Sequence, residues 1–402
     1  MKKVFASVFS LFVLFSSELF AGQIANVEYV HGVIARNTGI KIPYSEKLSS
    51  PMVAANMEYL LKLVDYANYL LNGNVETTNY ADTKYASKIA VDSDIVNKLV
   101  QELVQKAEPF NGFTIQTNYN VGSFDFDISA AGSYTIDWGD GTKNTFTKNN
   151  TVVENYSHTY KEASAYTIKI SGSTSAYNQS ADIATISFAS NKDIAKISGS
   201  LGAVFGTLSD GTQPRFYQTF YNCTNLAGEI PSELFKGIYG QPVDAMFMDT
   251  FSGAYRLNGK IPSGLFAKIN GNATENLFSG TFYNCTGLTG EIPDGLFAGI
   301  YGAPATGVFY RTFYNCTGLS GIPKTLFGKF TGLLNWMFYE TFYNCTSLKS
   351  ESARISGDYL YNIWPKATAM QVWNMYGKNT KLSDYACIPK DWGGAGEKCE
   401  IQ

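Results

Sequence analysis

Histidine is almost absent, with only His31 and His158 in 402 residues. A histidine-rich metal centre or a serine–histidine–aspartate triad therefore has very few candidate residues. Charge is sparse as well: 16% of residues are charged, with 31 basic against 34 acidic side chains and a net charge of −3. That balance supplies no basic field for a nucleic-acid backbone. No cysteine precedes Cys223, so a bacterial lipid anchor near the N-terminus is not supported. Beyond the first 21 residues, no apolar run reaches the ~20 residues needed to span a bilayer. What the chain holds in quantity is glycine, 37 residues, and aromatic side chains, 15%. Disordered chains are poor in aromatics and rich in charge. The composition is that of a folded, β-rich, extracellular protein, and the length predicts two to four domains.

Residues 1–21 read as a secretory signal. Lys2 and Lys3 precede the apolar stretch Val4–Phe15, and Leu19-Phe20-Ala21 offers a cleavage site before Gly22. Residues 22–110 carry helical periodicity. Ser50 and Pro51 form an N-terminal signal, and Met57, Leu60, Val64, Ala67 and Leu71 make one apolar stripe. A second stripe, Val96, Val100, Leu103 and Ala107, is closed by Pro109. Nothing in this region carries chemistry.

From Gly112 the period falls to two. Phe124, Phe126 and Ile128 alternate with Asp125 and Asp127, and Tyr166, Ile168 and Ile170 alternate with Thr167 and Lys169. Between such strands lie Trp138-Gly139-Asp140-Gly141, a tight-turn signal, and His158-Thr159-Tyr160. The order strand, WGDG turn, HTY and YTIKISG, over Phe113 to Phe188, resembles the PKD domain, a small Ig-like β-sandwich of bacterial surface and secreted proteins. The resemblance implies that Trp138 packs between the sheets, with Asp140 in the turn beside it, and that Tyr160 ties a corner. Asp137 and Asp140 read as turn residues in the first place, with calcium as the alternative. His158 reads as structural.

The rest of the chain repeats. Thr-Phe-Tyr-Asn-Cys-Thr starts at Thr219, Thr281, Thr312 and Thr341, and a degenerate copy starts at Thr250. Successive intervals are 31, 31, 31 and 29 residues, the mark of a stack in which each unit buries its apolar face against its neighbours. Three residues before each Thr stands Phe216, Phe247, Phe278, Phe309 or Phe338. One residue after stands Phe220, Phe251, Phe282, Phe313 or Phe342, and a Leu-x-Gly-x-Ile-Pro stretch follows in most units. The i, i+4 spacing of the two phenylalanines predicts a helical turn with both rings inward. The repeat resembles the leucine-rich repeats of BspA-type bacterial surface proteins over Ile194–Leu382. That likeness implies a solenoid with short strands and helical turns, with Ile197–Phe205 as a capping half-unit.

The expected organisation is a signal peptide at 1–21, a helical region at 22–110 and a PKD-like sandwich at 111–190. A leucine-rich-repeat solenoid at 191–386 and a disulfide-closed tail at 387–402 complete it. Cys223, Cys285, Cys316 and Cys345 share one slot of the repeat, where the second unit has Ala254. A small apolar group suits that slot, so a ladder of buried free thiols is expected. Cys387 and Cys399 lie in a glycine-rich tail and are expected to pair. Asn222, Asn284, Asn315 and Asn344 form glycosylation sequons, but their recurrence predicts a hydrogen-bonded ladder instead. Tyr221, Tyr283, Tyr314 and Tyr343 follow the second phenylalanine and are the candidate binding face. Phe220, Phe282, Phe313 and Phe342 are expected to be structural.

The functional expectation is an exported bacterial recognition or adhesion protein that binds a protein or glycan, host-derived ones included. It requires no cofactor, no metal, no nucleic acid and no transmembrane anchor after signal cleavage. The alternatives are a glycan-active enzyme carrying these modules, which needs paired carboxylates in a pocket, and a structural envelope protein. Glu229 and Glu291 recur at one surface slot, which is a poor basis for such a pair.

Overall fold

In a computed structural model of the chain, residues 110–379 and 381–399 are described. The signal segment, the helical stripes of 22–110 and the last three residues lie outside them. Residues 111–402 form one compact unit.

The alternating segments form two antiparallel sheets. Strands β1 (Phe113–Thr117), β2 (Val121–Ile128), β3 (Ala131–Asp137), β4 (Lys143–Lys148), β5 (Glu154–Ser164) and β6 (Thr167–Ala176) are followed by β7 (Ile186–Ser187) and β8 (Ile194–Gly199). Their order is β4-β3-β6-β1-β8 in one sheet and β5-β2-β7 in the other. The period-two pattern fixes which residues face inward: Phe124, Phe126 and Ile128 of β2 and Ile168 and Ile170 of β6 are all buried. Strand β8 begins at 194, so the five-stranded sheet takes its last strand from beyond residue 190. Phe113 of β1 lies 5.9 Å from Phe188 and 6.0 Å from Phe220, which joins the sheets and the first repeat in one core.

The repeat region corrects the expected fold class. The regular structure of the described residues is mostly sheet with almost no helix. Its α-helices are Leu360–Ile363 and Ala369–Val372, four residues each, and neither lies in a Thr-Phe-Tyr-Asn-Cys-Thr segment. A leucine-rich-repeat solenoid with helical turns is therefore not what the chain forms. The repeated segments are chains of turns in which every fourth residue is left-handed. Gln218 and Asn222 have φ of 50° and 53°; Ala245, Asp249 and Gly253 have 54°, 53° and 78°; Gly307, Arg311 and Asn315 have 65°, 52° and 58°.

The hydrogen bonds give the physical reason. In an α-helix each amide bonds within its own segment. Here only alternate amides do so, as in Thr219 N–H to Phe216 O, 3.3 Å, and Tyr221 N–H to Gln218 O, 3.1 Å. The others reach the next unit: Phe216 N–H to Met246 O, Gln218 N–H to Met248 O, Phe220 N–H to Thr250 O and Asn222 N–H to Ser252 O, at 2.6–2.9 Å. A four-residue turn chain keeps both phenylalanines on one side, as a helix would, while freeing half the amides for the neighbouring unit.

Side chains stack in register. Phe220, Phe251, Phe282, Phe313 and Phe342 lie 5.5–5.7 Å apart in a ladder that Tyr376 extends. Phe216, Phe247, Phe278, Phe309 and Phe338 form a second ladder, and Phe235, Phe266, Phe297 and Phe327 a third. Both ends are closed. At the start, β7 pairs with β2 while Phe188 N–H donates to Thr219 O, 2.8 Å. At the far end, Asn374 and Tyr376 donate to the carbonyls of Asp391 and Trp392, at 3.0 and 2.8 Å.

Candidate functional site

The turn chain that sends the phenylalanines inward sends two rows of tyrosines to the surface. In the slot after the second phenylalanine, Tyr283 stacks on Tyr314 at 4.7 Å and Tyr314 on Tyr343 at 5.0 Å. Four residues earlier, Tyr310 stacks on Tyr339 at 5.4 Å. All five are half-buried. Their ring faces are spent largely on one another, and none of the five hydroxyls has a hydrogen-bond partner among the described residues. Burial raises the Tyr310 and Tyr314 phenols above their ordinary value, so both stay neutral. Tyr221 is more open, 38% exposed, because Ser252 stands in its slot of the next unit and supplies no ring.

Charge enters the rows at Arg311, whose guanidinium carbon lies 4.9 Å from the Tyr310 ring, 5.6 Å from Tyr314 and 5.8 Å from Tyr339. Its Nε donates to Glu340 Oε2 at 2.7 Å. Lys378 Nζ sits 5.2 Å from the Tyr343 ring at the far end. Behind the rows, Asn344 Nδ2 donates to Asn315 Oδ1 at 2.6 Å and Asn315 Nδ2 to Asn284 Oδ1 at 2.9 Å. This is a surface of stacked tyrosine rings and phenol hydroxyls carrying one cation–carboxylate pair.

The remaining singled-out residues lie elsewhere. Phe220, Phe282, Phe313 and Phe342 are fully buried. Trp138 is buried between the sheets, its Nε1 donating to Asn144 Oδ1 at 2.7 Å, and Tyr160 donates to the Trp138 carbonyl at 3.0 Å. Asp140 accepts from the Thr142 hydroxyl at 2.6 Å and meets His158 Nε2 at 2.8 Å. Burial would raise the Asp140 carboxyl, but hydrogen bonds from Thr142 and His158 outweigh it and hold the group down at about 2. Asp137 pairs with Lys143 at 3.0 Å and accepts from the Gly139 amide. The turn is thus a network of protein groups. Cys387 and Cys399 are joined in a disulfide, beside a depression of about 320 Å³ lined by Tyr361 and Trp392.

Two features escaped the sequence reading. The second tyrosine row was one, although Tyr217, Tyr310 and Tyr339 share a slot two residues before the Thr. The other was a sixth unit in which Val372, Tyr376, Asn379 and Leu382 follow Phe338, Phe342, Cys345 and Leu348 by 34 residues. Asn379 Nδ2 donates to Phe342 O at 2.6 Å, where a thiol donates in earlier units. No family model, no curated protein and no solved structure matches the chain.

Proposed function

We propose that this is an exported, non-catalytic recognition protein that binds a protein or glycan through the tyrosine rows of its repeats, with the strand-rich region as a spacer. One observation carries the reading. Five phenol hydroxyls stand on a stacked surface without a hydrogen-bond partner among the described residues, and a tyrosine so placed finds its partner in water or in a ligand. Tyrosine also gives large contact area at small cost in conformational entropy. Export rests on the Lys2-Lys3 leader and on a composition poor in charge, and a bacterial origin on the same leader.

The test is a screen of residues 22–402 against glycan and host-protein arrays, repeated with the double variant Tyr283→Ala/Tyr314→Ala. Ligands that bind the parent and are lost with the variant support the reading. Ligands bound equally by both overturn it.

A further inference from the structure

In the fourth and fifth units, a guanidinium is enclosed by Tyr310, Tyr314 and Tyr339 and paired with Glu340. Three units earlier, the corresponding slots read Tyr217, Tyr221, Met248 and Asp249, with Gln218 where the arginine stands.

The backbones match. Gln218 and Arg311 have φ of 50° and 52°, and Asp249 and Glu340 have 53° and 50°. Gln218 N–H donates to Met248 O at 2.9 Å as Arg311 N–H donates to Tyr339 O at 2.9 Å. Tyr221 and Tyr314 each bond back to the slot residue at 3.1 Å. The earlier copy therefore keeps two tyrosines and the carboxylate near one another, with the neutral Gln218 in the slot of the cation. Asp249 makes no ion pair among the described residues. Its carboxyl is pushed up by burial and countered only by neutral hydrogen bonds from Gln218 and Ser252. Asp182 adds a second negative charge near Tyr217. A cation over tyrosine faces beside a carboxylate is favoured by both the ring quadrupole and the charge.

We propose that the site formed by Tyr217, Tyr221 and Asp249 receives the guanidinium of an arginine from a protein partner, in the place that Arg311 fills within its own copy. Guanidinium is the match rather than ammonium, because it is planar, stacks on rings and donates along an edge. The inference rests on reading this face as a recognition surface, and it commits that face to a protein ligand.

The test uses residues 22–402 and two small probes, N-acetyl-arginine methylamide and its lysine counterpart, followed by NMR of the tyrosine ring signals. The arginine probe is expected to bind saturably and more tightly than the lysine probe. Asp249→Asn should weaken it about tenfold or more. Gln218→Arg should fill the site from within and abolish probe binding, while melting at or above the parent temperature. Tyr283→Ala/Tyr314→Ala should leave probe binding intact, which separates failure of this site from failure of the tyrosine rows. Equal binding of the two probes, unchanged binding to Gln218→Arg, or no saturable shift would each overturn the proposal.

Discussion

At the scale of single residues, the repeat is held by polar groups that the phenylalanine ladders enclose. Thr250, Thr281 and Thr312 donate their hydroxyls to the carbonyls of Phe216, Phe247 and Phe278, at 2.8–2.9 Å. Cys223, Cys285, Cys316 and Cys345 donate their thiols to Phe188, Phe251, Phe282 and Phe313, at 2.9–3.1 Å. Each of these carbonyls also accepts a backbone amide from its own turn, so the buried hydroxyl or thiol finds its partner in the carbonyl's second lone pair. Burial pushes Cys223 and Cys345 up to about 12, and Cys285 and Cys316 above their ordinary value as well. In the unfolded chain these thiols ionise near 9.0. Their contribution to stability is therefore complete below that value and is lost as pH rises toward the folded-state values. Native protein should give no thiol reaction with a disulfide reagent at pH 8 and four equivalents after unfolding. Cys316→Ala should flatten the fall of melting temperature above pH 9. Reaction of the folded protein would show that the ladder is open.

At the scale of the element, the decisive feature is the left-handed residue at every fourth position. Asparagine in that slot, as in Asn222, Asn284, Asn315 and Asn344, tolerates the conformation, and glycine adopts it freely. Ala245 does neither, yet holds φ of 54° while 5% exposed. In Ala245→Gly, relief of about 1–2 kcal/mol of left-handed strain should offset the added chain entropy and the loss of a buried methyl worth about 0.8 kcal/mol, leaving the variant no less stable than the parent. Chemical denaturation checks this, and a lower midpoint would mean that Ala245 is not strained. The buried slots were legible in the sequence because the same residue types return every 31 or 29 positions. The turn chain was not. Two phenylalanines four apart fit a helix and a four-residue turn equally well, and only the unit-to-unit bonds separate the two. The Asn-Cys step hinted at a turn in every full unit, but Gln218, Arg311, Glu340 and Trp336 take the same conformation with no sequence signal of it. The tyrosine surface was half legible. One row followed the strongest motif, while the other is interrupted by Met248 and Ser279 and was missed.

At the scale of the whole molecule, the stack is closed at one end by β7 and the sheets, and at the other by Asp391, Trp392 and the disulfide-tied tail. Among the described residues, the amides at the two ends of the stack that pair with β7 and with the tail are thereby withheld from edge-to-edge pairing with another chain. Stacking complicates any alanine test of the tyrosine surface, since each lost ring pair costs about 0.5–1.5 kcal/mol beyond its buried area. Removing only the hydroxyls avoids this. The most direct measurement is the melting temperature and ligand affinity of the triple variant Tyr283→Phe/Tyr314→Phe/Tyr343→Phe, using a ligand from the array screen. The rings and their stacking remain, so the melting temperature should stay within a degree or two of the parent, while affinity should fall about tenfold or more as hydrogen bonds to the ligand are lost. Parent-like affinity at a parent-like melting temperature would contradict the claim that this tyrosine surface is where the protein binds.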